Sequence, residues 1–173
     1  YEPFLGGDML ADVAIYFDKE SLYNPLQDGI EVTRIKAPDS CPHRDAVVGC
    51  ARVLQEAHIP FGVVTNANLQ DLTKYRAVML PSVLAMTKEQ AEVFRKFVAD
   101  GGGLYASGPS SLDRWDSDGR FLLEDVLGVR ATGVRNDIVY TTPEAPQLRK
   151  AIWPQDHLSH NGTTVLGEPL AHA

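Results

Sequence analysis

The chain has 173 residues, 44% of them apolar, 23% charged and 8% aromatic, which suits one globular domain with a real core and makes a second full domain unnecessary. Lys and Arg total 16 against 23 Asp and Glu, and the formal net charge of -7 offers no basic field to nucleic acid or to an anionic membrane. Two cysteines, Cys41 and Cys50, make no disulfide framework and lack the paired spacing of a thiolate zinc site, and no apolar run approaches the roughly 20 residues that cross a bilayer.

Val13-Ala14-Ile15-Tyr16-Phe17 is a short apolar run closed by Asp18, the pattern of a strand buried on both faces of a parallel sheet. Residues 18–42 hold Asn24-Pro25, Asp28-Gly29, Pro38 and Pro42, punctuation too dense for a long helix, so a long loop with at most a short extended piece over 30–35 is expected. From His43 to His58 the positions Val47, Cys50, Ala51 and Leu54 fall at i, i+3, i+4 and i+7, one face of a helix whose start suits Pro42. Pro60 ends that helix, Phe61 to Val64 supplies a second buried strand, and Thr65-Asn66-Ala67-Asn68 reads as a polar turn. A third strand, Ala77 to Leu80, runs into Pro81. Thr87-Lys88-Glu89-Gln90 has capping-box spacing and starts a helix with Ala91, Phe94, Phe97 and Val98 facing inward and Gly101 to Gly103 as its stop. Leu104-Tyr105-Ala106 is a fourth strand, 107–120 a polar loop, and 121–127 a short helix ended by Gly128. The tail is expected to hold one strand over 138–141 and one short helix near 147–152.

This alternation builds an open, mainly parallel sheet covered on both faces, because every parallel crossover must pass over the sheet. The expected fold is α/β, a flavodoxin-like three-layer sheet in a single domain, with its core over about 11–130 and a less regular extension over 131–173. Tyr1 in place of Met and a tail without an evident cap make the chain read as a piece of a longer polypeptide. No charged-then-apolar leader precedes the first polar segment, so a soluble protein is expected, with the cytoplasm as the default compartment.

Open parallel sheets bind ligands at the carboxyl ends of their strands. The rim residues Asp18, Glu20, Tyr23, Asn66, Ser82, Ser107 and Trp115 are therefore the candidates for ligand or interface contacts. A phosphorelay receiver would need an Asp at the end of the third strand, where Pro81 and Ser82 stand instead. A nucleotide site would need a glycine-rich or lysine-bearing loop after the first strand, where Asp18-Lys19-Glu20-Ser21 follows. A class I glutamine amidotransferase-like site would need a Cys or Ser nucleophile on a tight turn after the fourth strand, with a His beside it. Ser107-Gly108 lies there, but Pro109 follows directly and no Gly stands two residues before Ser107, so the elbow pattern is missing. The enzyme reading that survives uses Ser107 with His157 or His160 as base.

No metal and no cofactor are expected. His157 and His160 are flanked by Pro154 and Asn161-Gly162 and share no helix that would converge their rings. His58 suits the carboxyl end of its helix. Arg114 stands where a calcium loop around Asp116-Ser117-Asp118-Gly119 needs its first ligand. Among the aromatics, Tyr16 and Phe17 belong to a strand core, whereas Tyr23 and Trp115 sit on rim loops where a sugar ring or a partner subunit would meet them.

Ala11 to Asp18, Leu54-Gln55-Glu56-Ala57-His58-Ile59-Pro60, Tyr75 to Ser82, and 87–100 followed by three glycines together resemble the trimerisation domain of family 42 glycoside hydrolases, the beta-galactosidases. The resemblance covers about residues 11–110 and rests on the order and spacing of these segments. It implies an amidotransferase-like, flavodoxin-type domain that has lost its nucleophile and sits behind an upstream catalytic TIM barrel. It further implies self-association, with the trimer as the expected assembly, and a carbohydrate substrate for the parent enzyme. The acid and nucleophile carboxylates of such enzymes lie in the barrel, so the resemblance transfers no catalytic residue.

Overall fold

The computed structural model describes residues 10–22, 41–111, 120–136, 139–141, 146–147, 158–160 and 163–170. Four short strands, β1 (Val13–Tyr16), β2 (Phe61–Val64), β3 (Ala77–Pro81) and β4 (Gly103–Ser107), form one sheet in the order β2-β1-β3-β4. All three ladders are parallel, as the apolar runs predict. Helix α1 (Pro42–Glu56) and helix α2 (Lys88–Ala99) cross between strands. The architecture is the expected mainly parallel, three-layer, flavodoxin-like sheet.

The core lies on the α2 side. Ala14, Tyr16, Val64, Val78 and Leu80 project from that face of the sheet and meet Leu72, Met86, Ala91, Phe94, Phe97 and Leu123. Tyr16 and Phe94 pack edge to face, their ring centroids 5.1 Å apart and their planes at 77°, an arrangement worth about 0.5–1.5 kcal/mol beyond burial. Helix α2 starts as its sequence specifies: the Thr87 hydroxyl accepts from Gln90 N–H at 3.3 Å, and the Gln90 side chain accepts from Thr87 N–H at 2.7 Å. Arg95 ties α2 to the short helix α3 (Glu124–Leu127) through Asp125 Oδ2 at 2.6 Å. α3 starts three residues later than the periodicity suggests and ends on Gly128 at φ 67.

The stretch after β2 departs from expectation. In place of a four-residue polar turn, a 3-10 run over Asn66–Lys74, kinked at Asn68 and capped by Thr65, buries Leu72 in the core. Gly62 on β2 makes room for this run's exit: a Cβ there would lie 2.1 Å from the Tyr75 hydroxyl oxygen.

On the other face α1 lies over the central strands β1 and β3. His43 and Leu54 are buried and Val47, Cys50 and Ala51 half-buried, which is the stripe predicted from spacing. Cys41, just before α1, donates its thiol to the Leu22 carbonyl at 3.1 Å. The two points where the chain leaves and re-enters the described core around residues 23–40 therefore touch.

After Gly128 the chain turns to antiparallel pairing. β5 (Val129–Asn136) pairs with β8 (Thr163–Pro169) through a bulge between Ala131 and Gly133, and β6 (Val139–Thr141) pairs with β7 (Leu158–His160). β6 answers the strand expected over 138–141. β5, β7 and β8 were not foreseen. Only residues 146–147 of the tail helix lie near a described helical turn, and 148–157 fall outside the described residues.

Candidate functional site at the carboxyl ends of the strands

Asp18 lies two residues past the end of β1 and is completely buried. Its Oδ2 accepts from Ser21 N–H at 3.0 Å and from the Ser21 hydroxyl, and its Oδ1 accepts from Glu20 N–H at 3.4 Å and from Asn66 Nδ2 at 3.3 Å. This is the local bonding through which aspartate builds a turn, and it nucleates a 3-10 turn over Glu20–Leu22. The Ser21 hydroxyl in turn accepts from the backbone N–H groups of Leu84 at 2.8 Å and Ala85 at 2.9 Å. One carboxylate thus ties the end of β1 to the chain that follows β3.

His43 closes the same region from α1. Asp18 N–H donates to His43 Nε2 at 3.0 Å, so Nε2 carries no proton; Nδ1 carries it and donates to the Pro81 carbonyl at 2.7 Å. Burial lowers the His43 pKa below its ordinary value, against smaller opposing effects of the Pro81 hydrogen bond and the Asp18 charge. The ring is held neutral, with both nitrogens engaged.

Asn66 is the third hub. Its Oδ1 accepts from the Tyr16 hydroxyl and from Gln90 Nε2 at 2.6 Å, while its amide donates to Asp18. Burial first, and the nearby Asp18 charge second, raise the Tyr16 phenol above its usual range. At the next strand ends, Ser82 N–H donates to the Ser107 carbonyl at 3.1 Å, and the Ser110 hydroxyl accepts from Val83 N–H at 2.9 Å while lying 2.6 Å from the Leu80 carbonyl.

The structure brings Asp18, Asn66, Ser82 and Ser107 to one rim. Asp18 is buried with both carboxylate oxygens engaged, whereas Asn66 is exposed while bonding Tyr16, Gln90 and Asp18. Glu20 is exposed and Ser107 half-buried. Positive φ falls on Gly108 at 56 and on Ser82 at 49, leaving Ser107 an ordinary strand residue. A Cβ on Gly108 would sit 2.7 Å from Ser82 Oγ, so glycine serves both the turn and the close approach there. No imidazole bonds the Ser107 hydroxyl among the described residues, since His43 is committed elsewhere. His160 enters only through the backbone of β7; Tyr23, Trp115 and His157 lie outside the described residues.

Residues 11–144 match the beta-galactosidase trimerisation domain family, well over half of the chain. The chain belongs to this family. As a trimerisation domain it has relatives of the same fold at low identity. Gan42B, a GH42 beta-galactosidase, superposes with a TM-score of 0.68 at 18% identity, over 95% of this chain and 23% of its own. The beta-galactosidase from Bifidobacterium adolescentis gives 0.51 at 22% identity, over 78% and 64%. The exo-beta-1,4-mannosidase Op5Man5 from Opitutaceae bacterium strain TAV5 gives 0.59 at 13%, over 92% and 26%. No curated protein matches the chain. The trimerisation domain spans less than two thirds of each of these three structures.

Sequence reasoning missed His43, Ser21, Gln90 and Ser110 as the residues that hold the rim together. The Asp-x-x-Ser spacing of Asp18 and Ser21 was the available signal. A cleft of about 680 Å³ also lies away from the rim, at the amino-terminal end of the sheet, lined by Leu10, Asp12, Ile59, Pro60, Lys74 and Tyr75. Among the described residues no group of three or more His, Cys, Asp or Glu is placed to hold a metal ion, and no helix is long and apolar enough to cross a membrane.

Proposed function

We propose that this domain is a non-catalytic assembly module of a larger beta-galactosidase-like glycoside hydrolase, associating with copies of itself and standing beside a catalytic barrel supplied elsewhere in the parent enzyme. The family match over residues 11–144 carries this reading. The rim chemistry supports it. Glycoside hydrolysis needs two carboxylates facing each other across the scissile bond, and the rim offers the exposed Glu20 and an Asp18 whose oxygens already accept four hydrogen bonds. Amidotransferase-like chemistry needs a base at Ser107, and His43, the histidine described in this region, is occupied on both nitrogens. Glu20, Asn66 and Ser107, which keep accessible surface, are the described rim candidates placed to form one wall of a sugar cleft or to touch a neighbouring subunit.

Sedimentation equilibrium of the chain tests this reading: a mass of three chains is expected, and a monomer at every concentration would overturn it. Aryl galactosides should stand unhydrolysed in its presence, and turnover abolished by Glu20→Gln or Ser107→Ala would contradict the non-catalytic assignment.

A further inference from the structure

We infer that the sheet face carrying α1 is the surface on which a second copy of this chain docks; this rests on the assembly reading above and names the surface it uses. Partnered residues of parallel ladders point to the same side, so Val63, Ile15, Met79 and Tyr105 form one row across β2-β1-β3-β4. One helix, α1, covers the middle of that row, and Ile15 is buried beneath it, whereas the outer members Val63 and Tyr105 are 51% and 52% exposed. With about 100° per residue and Leu54 facing the sheet, Val53 and Val48 fall on opposite flanks of α1. Both are open to solvent, at 59% and 60%. A Cβ on Gly49 would meet nothing within 4 Å. The helix is thus a ridge between two troughs, each with an apolar floor and a valine on its wall.

The opposite face is finished for water. The outer side of α2 carries the pairs Arg95–Glu92, Arg95–Asp125 and Lys96–Asp100. On the outer side of α1 the ionic residues are Arg44, Asp45, Arg52 and Glu56, two of each sign, with Arg44 and Asp45 bonded to each other at 3.1 Å. In a chain of net charge -7, two copies repel across most of their surfaces. The charges on the crest of α1 cancel, and valines and a tyrosine line the troughs beside it, so two such chains approach here at least electrostatic cost with apolar surface to bury.

Sedimentation velocity over a concentration series, on the wild type, V48E/V53E and V93E, tests the assignment. Val93 on α2 is the exposed apolar control, at 38%. The wild type and V93E should assemble alike, and V48E/V53E should raise the dissociation constant at least about tenfold with an unchanged melting temperature at dilutions where the chain is monomeric. V48S/V53S, which removes apolar surface without adding charge, should weaken assembly in the same direction and stands in if the glutamate pair disturbs folding. Assembly of both valine variants at wild-type strength would overturn the choice of face while leaving the assembly reading intact; a wild type that stays monomeric would overturn both.

Discussion

Replacing Asp18 by alanine should be among the most damaging single changes in this domain, and the structure says by how much. The carboxylate is fully buried and accepts four hydrogen bonds, from Ser21 N–H, the Ser21 hydroxyl, Glu20 N–H and Asn66 Nδ2. The Glu20 contact is long at 3.4 Å, and Asn66 is exposed, so its amide can turn to water; the stranded groups are chiefly the two on Ser21. Buried polar groups left without partners cost about 1–3 kcal/mol each, which puts Asp18→Ala at about 2–6 kcal/mol, a large part of the roughly 5–15 kcal/mol that holds a domain together. For a chain of this size that corresponds to a fall in Tm of roughly 4–24 °C. Urea unfolding followed by circular dichroism measures it. Ser21→Ala should itself destabilise, because it orphans the Leu84 and Ala85 amides. The double variant should cost less than the two single changes added, by at least about 1 kcal/mol, since each removes part of one network. Additive effects, or a loss below about 1 kcal/mol for Asp18→Ala, would refute the view that this carboxylate organises the rim.

His43 gives the domain a defined response to acid. Its folded pKa is lowered because burial disfavours the charged ring, so the unfolded chain takes up a proton first, at about pH 6.5. The stability held by the neutral ring is complete above that pH and drains away as pH falls through it toward the lower folded value. Urea midpoints measured from pH 8 to 5 should decline in the wild type and decline less in His43→Gln; equal slopes would count against this account. Ser111 points the other way. It is buried at φ 65 with a hydroxyl that has no partner among the described residues, so Ser111→Gly should relieve both the left-handed strain and the orphan group. A gain of about 1 kcal/mol, or roughly 2–4 °C in Tm, is expected; a destabilised Ser111→Gly would show that the hydroxyl contributes to the fold.

The parallel core was legible because its signals are strong and local. Continuous apolar runs closed by Asp18 and Pro81 gave β1 and β3, and the i, i+3, i+4, i+7 stripe and the Thr87 to Gln90 capping box gave α1 and α2. β5 and β8 escaped because Arg130, Gly133 and Arg135 in one and Gly167 and Pro169 in the other break the alternation that marks a strand; only pairing across a long gap makes them strands. The 3-10 run over Asn66–Lys74 escaped because one buried leucine, Leu72, leaves no period to read. At the rim the sequence places Asp18, Asn66, Ser82 and Ser107 at strand ends, but does not show the bonds that hold them. The Asp18 carboxylate folds back through local bonds to Glu20 and Ser21 that its spacing hints at, while the distant partners, Asn66 on the carboxylate and His43 on the Asp18 N–H, are ones that sequence spacing does not bring together.

The contact between the Cys41 thiol and the Leu22 carbonyl holds two points of the core together like gateposts. Closing a flexible loop becomes harder only slowly with length, by about 0.6 kcal/mol for each doubling. A polypeptide hung between these two posts can therefore be lengthened, shortened or exchanged while β1 and α1 keep their places. For a lineage that varies its accessory parts, or for an engineer grafting a reporter or an affinity tag, this is the point where foreign sequence enters with the least disturbance.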